Sequence, residues 1–380
     1  MRICIIRNAE SRTNAAIYRI LDALLSSDKK CILLTRSRFN HEKGVIKKEQ
    51  YYGDQIIDNY EINIKTEMGR GILNIFQLVH YQFLVIIWLI RNKDKFDVIH
   101  SFDLDSGLPV FFVSKVIHKK YIYHIADYYV DSRDGIPYIL KFVLKRLEYK
   151  VIANAETTIV CTDERIEQIK GSKPKKVVVI HNAPSIKVNN SGKKSSTDYI
   201  SDKKITFAYV GGLTKKRFIK SIIDIFKHHH EFNLELAGMG ELSNYAKQAS
   251  EKYENINYYG MVNYEEALNL YSKCDIMFAI YDPAVPNHRY SAPNKVYEAM
   301  MLGKPIIVAR NTSVDKIVEK EDIGFVIDYT KEDFEDILFT ISDDKSILKK
   351  YGQNALEVYN KYSWEEMKRR LIDIYDDISN

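Results

Sequence analysis

Cysteine is scarce: Cys4, Cys31, Cys161 and Cys274 are the only four in 380 residues, far apart and without a CxxC pair. That spacing argues against a zinc site or a disulfide framework and suits a reducing compartment. A signal-peptide architecture is also missing, because the apolar run in the opening MRICIIRNAE is too short and no small-residue cleavage site follows. A cytoplasmic location is therefore expected. Nor is there a run of alternating basic and aromatic residues or a recognition-helix pattern, so nucleic acid is not an expected partner. The GxGxxG and P-loop spacings are absent as well. Uniformly apolar stretches of bilayer length are lacking too: GILNIFQLVHYQFLVIIWLIR, residues 71–91, carries Asn74, Gln77, His80 and Gln82 and leads directly into FDVIHSF. It reads as a long helix buried against a sheet, with an exposed aromatic edge as the alternative.

What is present is an ordinary globular composition, 46% hydrophobic and 28% charged. The length exceeds that at which one core usually keeps growing, so two domains are expected. Charge is uneven: residues 1–184 carry about +8 and residues 185–380 about −3 of the formal +5. The basic half suits an anionic membrane or a phosphate-bearing substrate, and a solvated surface without a partner is the plain alternative.

Apolar strand-like runs alternate with helix-like stretches, the signature of parallel sheets with crossover helices. In the first half the strands are RICIIR, CILLTR, DVIHSF, YIYHIA, TTIVCT and KVVVIH. A polar stretch rich in Ser, Lys and Asn interrupts the rhythm, which restarts with ITFAYVGG, FNLELAG, INYYG, DIMFAI, KPIIVAR and GFVIDY. The expected organisation is a domain over 1–184, a linker over 185–203, a second domain over 204–362 and a terminal helix over 363–380 capped by Ser363. Two doubly wound α/β domains would face a cleft lined by the carboxyl ends of their strands.

Two segments carry candidate chemistry. In FAYVGGLTKKRFIK a strand ends in Gly211 and Gly212, and Lys215, Lys216 and Arg217 follow at the start of a helix. Glycines permit a sharp turn or close approach to a ligand, and the cations suit phosphate. In SAPNKVYEAMMLGKP, Pro293 suits a first helical turn and Gly303 and Pro305 stop it, giving a helix over 293–302. Asn294 and Glu298 then share a face, with the helix N-terminus suited to phosphate and the carboxylate to sugar hydroxyls. The alternative is a capped core helix whose glutamate faces water.

Taken in order, YVGGLTKKRFI, LELAGMGEL, INYYGMVNYEEALNLYSKCDIMFAI, SAPNKVYEAMMLGKPIIV and YSWEE resemble the retaining glycosyltransferases of family 4. The resemblance implies the GT-B fold, two Rossmann-like domains facing a cleft, with the C-terminal helix returning to the N-terminal domain. It implies that the second domain binds a nucleotide sugar. Gly211, Gly212, Lys216 and Arg217 would lie at the diphosphate, although the family's arginine after the first glycine is Gly212 here and its lysine five positions later is Arg217. Met261 and Val262 would meet the nucleobase. Tyr290, Ser291, Ala292, Asn294, Lys295 and Glu298 would surround the sugar and ribose, with Glu298 on the ribose hydroxyls and Tyr290 standing where the family has the first glutamate of E-x7-E.

On the acceptor side, VIHSFDLDSGLP and YIYHIADYYVDS resemble the family's segments and bring Asp103, Asp105, His124 and Asp127 near strand ends. The family's histidine falls at Ala126, so Asp127 is the first catalytic candidate and His124 the second, with Arg217 stabilising the leaving phosphate. The implied reaction is hexosyl or N-acetylhexosaminyl transfer with retention, from a nucleoside-diphosphate (UDP or GDP) sugar to a glycan or lipid-linked acceptor, such as a precursor of cell-envelope polysaccharide. No cofactor or metal is expected, since the donor half has no DxD and the DLD of residues 103–105 lies in the other half. The basic first half and the aromatic 71–91 segment suggest peripheral contact with the inner face of the plasma membrane, where a lipid-linked acceptor would lie. A non-catalytic donor- or partner-binding homologue and a nucleotide-sugar epimerase are the alternatives on the same fold.

Overall fold

The computed structural model describes residues 1–11, 14–38, 44–65, 74–133, 135–185 and 203–379. The chain divides into two compact units, Met1–His181 with Met367–Asn380, and Asn182–Glu366. Most of the expected linker, residues 186–202, lies outside the described residues.

The first unit is built on an eight-stranded sheet: β1 (Arg2–Ile6), β2 (Lys30–Ser37), β3 (Gly44–Tyr52), β4 (Gln55–Asn63), β5 (Val98–Phe102), β6 (Lys120–His124), β7 (Thr157–Val160) and β8 (Val177–Val179). Their order is β3-β4-β2-β1-β5-β6-β7-β8. Central strands such as β1 and β5 are buried along almost their whole length, which is why they read as unbroken apolar runs. The hairpin β3–β4 is absent from the sequence reading. β3 is the antiparallel edge, and its Lys47, Lys48 and Glu49 break the apolar alternation by which strands are recognised. Gly53, with φ +55°, takes the first position of its two-residue turn.

The helix Ile75–Arg91 resolves the two readings of the 71–91 segment in favour of both, its first four residues apart, of which 71–73 fall outside the described set. One face, Tyr81, Val85, Trp88 and Leu89, is buried, while Phe76, Val79 and Phe83 stand in solvent. Among the described residues, no helix is long and apolar enough to cross a membrane.

The helix Trp364–Ser379 begins in the second unit, and its residues from Met367 onward group with the first. Met367, Leu371, Ile374, Tyr375 and Ile378 form its buried stripe, at a spacing that keeps them on one face. Each such side chain contributes about 1.5–3 kcal/mol on burial. Lys29 pairs with Asp376 at 2.8 Å, and Lys120 Nζ donates to the Ile378 carbonyl at 3.2 Å.

The second unit contains β9 (Ile205–Val210), β10 (Phe232–Ala237), β11 (Ile256–Tyr258), β12 (Ile276–Ala279), β13 (Ile306–Ala309) and β14 (Gly324–Ile327), all parallel, in the order β11-β10-β9-β12-β13-β14. All six correspond to runs read from the sequence. Its core stacks Phe207 against Phe226, Phe232 and Phe334. Strand order reverses between β9 and β12, and in an open α/β sheet the crevice outside the carboxyl ends at that reversal is where ligands bind.

Candidate functional site

At the β9/β12 reversal of the second unit, two loops are tied together. The Asp282 N–H, just after β12, donates to the Lys216 carbonyl in the loop after β9 at 3.0 Å. Gly238, with φ +123°, packs so tightly on this loop that a Cβ there would lie 1.9 Å from the Gly211 carbonyl oxygen. Glycine is therefore required at 238, and the loop it supports is held in place.

Arg217 is half-buried, whereas Lys215 and Lys216 are exposed. Its Nη1 donates to the Tyr209 hydroxyl at 3.2 Å, which in turn donates to the Gly212 carbonyl at 3.1 Å. The guanidinium also lies 4.9 Å from the Tyr281 ring centroid. Lys295 approaches the same tyrosine from the helix Asn294–Leu302: its Nζ is 4.6 Å from the Tyr209 ring centroid. A Cβ at Gly211 would come within 2.9 Å of that Nζ, and one at Gly212 within 3.4 Å of Arg217 Nη1. The two glycines thus leave the space that the two cations occupy. Burial opposes the charge on Lys295, but Tyr281, Tyr209 and Glu298 offset it, and its pKa stands above the ordinary lysine value. Arg217 likewise keeps its charge against burial, through Tyr281 and Tyr209.

The helix carrying Lys295 starts one residue later than expected, with Pro293 as its N-cap, and ends at Gly303 in the left-handed region (φ +63°). Asn294 is exposed and Glu298 is only 5% exposed. A glutamate facing water is therefore excluded. Ala292 is fixed by Asn182, whose Nδ2 donates to its carbonyl at 2.9 Å, and the Ser291 hydroxyl donates to the His288 carbonyl at 3.0 Å. Tyr290 is half-buried at the end of the short 3-10 turn Pro286–Tyr290. Met261 and Val262 follow β11 at a distance in sequence from the reversal, Met261 exposed and Val262 half-buried. Tyr209 and Tyr281 were not among the expected site residues, since buried strand-end tyrosines look like core in a sequence.

In the first unit the strand order reverses between β1 and β5. Asp103 follows β5 at the start of the helix Asp103–Ile117, in a left-handed conformation (φ +51°). Its Oδ1 accepts from the N–H groups of Ala126 and Asp127 at 2.9 and 3.0 Å. Burial raises its pKa to about 6, with Arg7 pulling the other way. Asp127 itself is exposed. Asp105 is buried and accepts from Asn8 Nδ2 at 2.9 Å and Arg133 Nη2 at 2.7 Å. His124, expected as a catalytic candidate, is almost buried: its Nδ1 lies 3.1 Å from His100 Nε2, and His100 Nδ1 lies 2.5 Å from the Tyr375 hydroxyl. Burial first, with Arg7 second, pushes His100 down to about 3, while burial, His100 and Arg7 push His124 well below the usual histidine value. Both rings are neutral at pH 7. Among the described residues no group of three His, Cys, Asp or Glu side chains is placed to hold a metal ion.

Residues 193–358 match the family model described as "Glycosyl transferases group 1". An uncharacterized glycosyltransferase of Methanocaldococcus jannaschii is 23% identical over 248 residues, covering 64% of this chain and 66% of the relative, just under two thirds of its length. Sucrose-phosphate synthase from Thermosynechococcus elongatus superimposes with a TM-score of 0.75 at 15% identity, over 100% of this chain and 99% of that one. The fold is GT-B. HepE of Anabaena, crystallised with UDP and glucose, shares it with a TM-score of 0.67 at 13% identity, over 99% and 100% of the two chains. Together the matches support a GT-B glycosyltransferase.

Proposed function

We propose that the protein is a retaining glycosyltransferase of family 4 that moves a hexosyl or N-acetylhexosaminyl group from a nucleoside-diphosphate sugar to a hydroxyl of a lipid-linked or polysaccharide-precursor acceptor. The observation that carries this reading is the pair of cations, Arg217 and Lys295, held on one tyrosine at the β9/β12 strand reversal. Breaking the bond between sugar C1 and the diphosphate oxygen places negative charge on the leaving group. Cations fixed beforehand stabilise that charge without reorganising, and they take the part that a bound metal would take elsewhere. UDP is favoured as the carrier by the UDP complex of the GT-B neighbour HepE.

Glu298 is assigned to the ribose hydroxyls, one turn inside a helix whose N-terminal end offers unpaired N–H groups. Tyr290, Ser291 and Ala292 are assigned to the sugar side of that helix, and Met261 and Val262 to the base. On the acceptor side Asp127 is assigned to the reacting sugar, with its loop positioned by Asp103, while His124 is a neutral buried ring. In front-face attack the leaving phosphate itself takes the acceptor's proton, so no dedicated base is needed and retention follows. A cytoplasmic site of action accords with a donor made there.

The deciding experiment incubates the protein with UDP-, GDP- and dTDP-sugars and follows thermal stabilisation, hydrolysis and transfer to simple acceptors. Acceptor-dependent transfer with retained anomeric configuration is expected. Conversion of the donor without any acceptor would identify an epimerase, and stabilisation without turnover a donor-binding homologue.

A further inference from the structure

His288, in the 3-10 turn after β12, meets the same aromatic platform as the cations. Its ring centroid lies 5.2 Å from that of Tyr281, and the Arg217 guanidinium lies 4.9 Å from the same Tyr281 centroid. Both backbone and ring of the histidine are fixed. Its N–H donates to the Val285 carbonyl at 2.9 Å, and its carbonyl accepts from the Ser291 N–H at 3.2 Å and the Ser291 hydroxyl at 3.0 Å. Its Nδ1 lies 3.0 Å from the Asp282 carbonyl oxygen, and the Asp282 N–H donates in turn to the Lys216 carbonyl at 3.0 Å. A line of hydrogen bonds thus joins the imidazole to the loop that carries Arg217.

A carbonyl oxygen can only accept, so Nδ1 carries the proton of the neutral ring. Burial, and after it the charges of Arg217 and Lys216, hold the pKa of His288 below the ordinary histidine value, against the pull of Asp282. The ring is therefore neutral at pH 7, and its Nε2 is a lone-pair acceptor. Among the described residues no hydrogen bond reaches that nitrogen, and the ring is half-buried rather than enclosed. Arg217 and Lys295 can only donate, which suits phosphate oxygens. A sugar carried on that phosphate presents hydroxyls, which donate as well as accept. An acceptor nitrogen held rigidly beside the cations supplies what the cations lack, and a site that hydrogen-bonds a substrate hydroxyl discriminates against sugars without it.

We propose that His288 Nε2 accepts a hydrogen bond from a hydroxyl of the donor sugar and so helps to select which sugar the site takes. The inference rests on the reading of a nucleotide-sugar site and adds to it a residue that senses the sugar rather than the nucleotide. Calorimetric titration of UDP-glucose, UDP-N-acetylglucosamine and GDP-mannose, with UDP and GDP as sugar-free controls, tests it. His288→Phe keeps a ring against Tyr281 and removes both nitrogens. His288→Asn keeps an amide donor near the Nδ1 position, and His288→Gln places an amide oxygen near that of Nε2. In the Phe and Asn variants the affinity for the tightest-binding nucleotide sugar should fall roughly 3- to 10-fold, the contribution of one hydrogen bond, while affinity for the free nucleotide stays as in the parent protein. The Gln variant should recover part of the loss. An equal loss for nucleotide and nucleotide sugar would make His288 a support of the cation platform only, and an Asn variant that binds like the parent would leave Nε2 without a role; either overturns the proposal. In both cases the donor reading stands, because the parent protein still binds the nucleotide sugar. A parent protein that binds none of the five compounds removes the donor reading and the proposal together.

Discussion

Both units are parallel α/β sheets that reverse strand order near the middle, yet they furnish the reversal differently. In the second unit the loop and helix ends carry net positive charge on an aromatic platform: Arg217 and Lys295 around Tyr209 and Tyr281. In the first unit the corresponding region is packed with groups that burial drives toward neutrality: His100 and His124 as neutral imidazoles, and the Asp103 and Glu148 carboxyls shifted up to about 6 and about 8. The first arrangement is suited to holding a charged ligand, and the second to shaping a surface around an uncharged one. Substitutions around the second unit's reversal should therefore act on donor binding and turnover, and substitutions of these buried groups in the first on stability.

The largest effect is expected at Arg217. Arg217→Ala should lower turnover roughly 10²–10³-fold with a smaller change in donor affinity, because the phosphate gains charge as the bond breaks. Near-normal turnover would transfer the role to Lys295 and make the platform one-sided. Next comes Glu298→Gln, which should weaken nucleoside-diphosphate binding roughly 10- to 150-fold in calorimetry, since hydrogen bonds to a charged acceptor are at stake. An unchanged affinity in a folded protein would leave Glu298 as a core residue only. In the first unit, Tyr375→Phe leaves the buried His100 Nδ1 without its partner and should cost about 1–3 kcal/mol in denaturant unfolding, with donor affinity untouched. A fall in donor affinity there would erase the division between the units.

The last effect concerns proton linkage. Burial pushes Glu148 up to about 8, even though the Tyr123 hydroxyl donates to it at 2.8 Å. Between about pH 4.5 and 8 the folded chain keeps a proton that the unfolded chain has released, so its stability declines as pH rises through that window. Glu148→Gln should flatten the dependence of Tm on pH over the same range. A slope that survives the substitution would assign it to another group.

The second unit was the more legible in sequence for a physical reason. Its central strands β12 and β13 are buried along their whole length, all six contain short apolar runs, and Gly211, Gly212, Pro293 and Gly303 punctuate them where the backbone needs it. The edge hairpin of the first unit was not legible, because an edge strand is kept polar against unwanted pairing. Arg217 was visible as a candidate, but its partnership with Lys295 was not. The two meet only because the helix Asn294–Leu302 starts beside β9, and nothing local to either residue reports it. Lys215 and Lys216 adjoin Arg217 in sequence, and the short helical turn exposes them while turning Arg217 inward. The positive φ of Asp103, which lets its carboxylate cap the loop before Asp127, has no sequence signature in a residue other than glycine.

The helix that reaches Ser379 has a bearing on how the chain is made. The stripe from Met367 to Ile378 completes the first unit, and Tyr375 supplies the oxygen beside His100. That unit is therefore discontinuous: its opening residues leave the ribosome first, and the strip that covers them is translated only after the whole of the second unit. The nascent first sheet must wait with an apolar face uncovered, while the second unit can close as soon as its own residues have emerged.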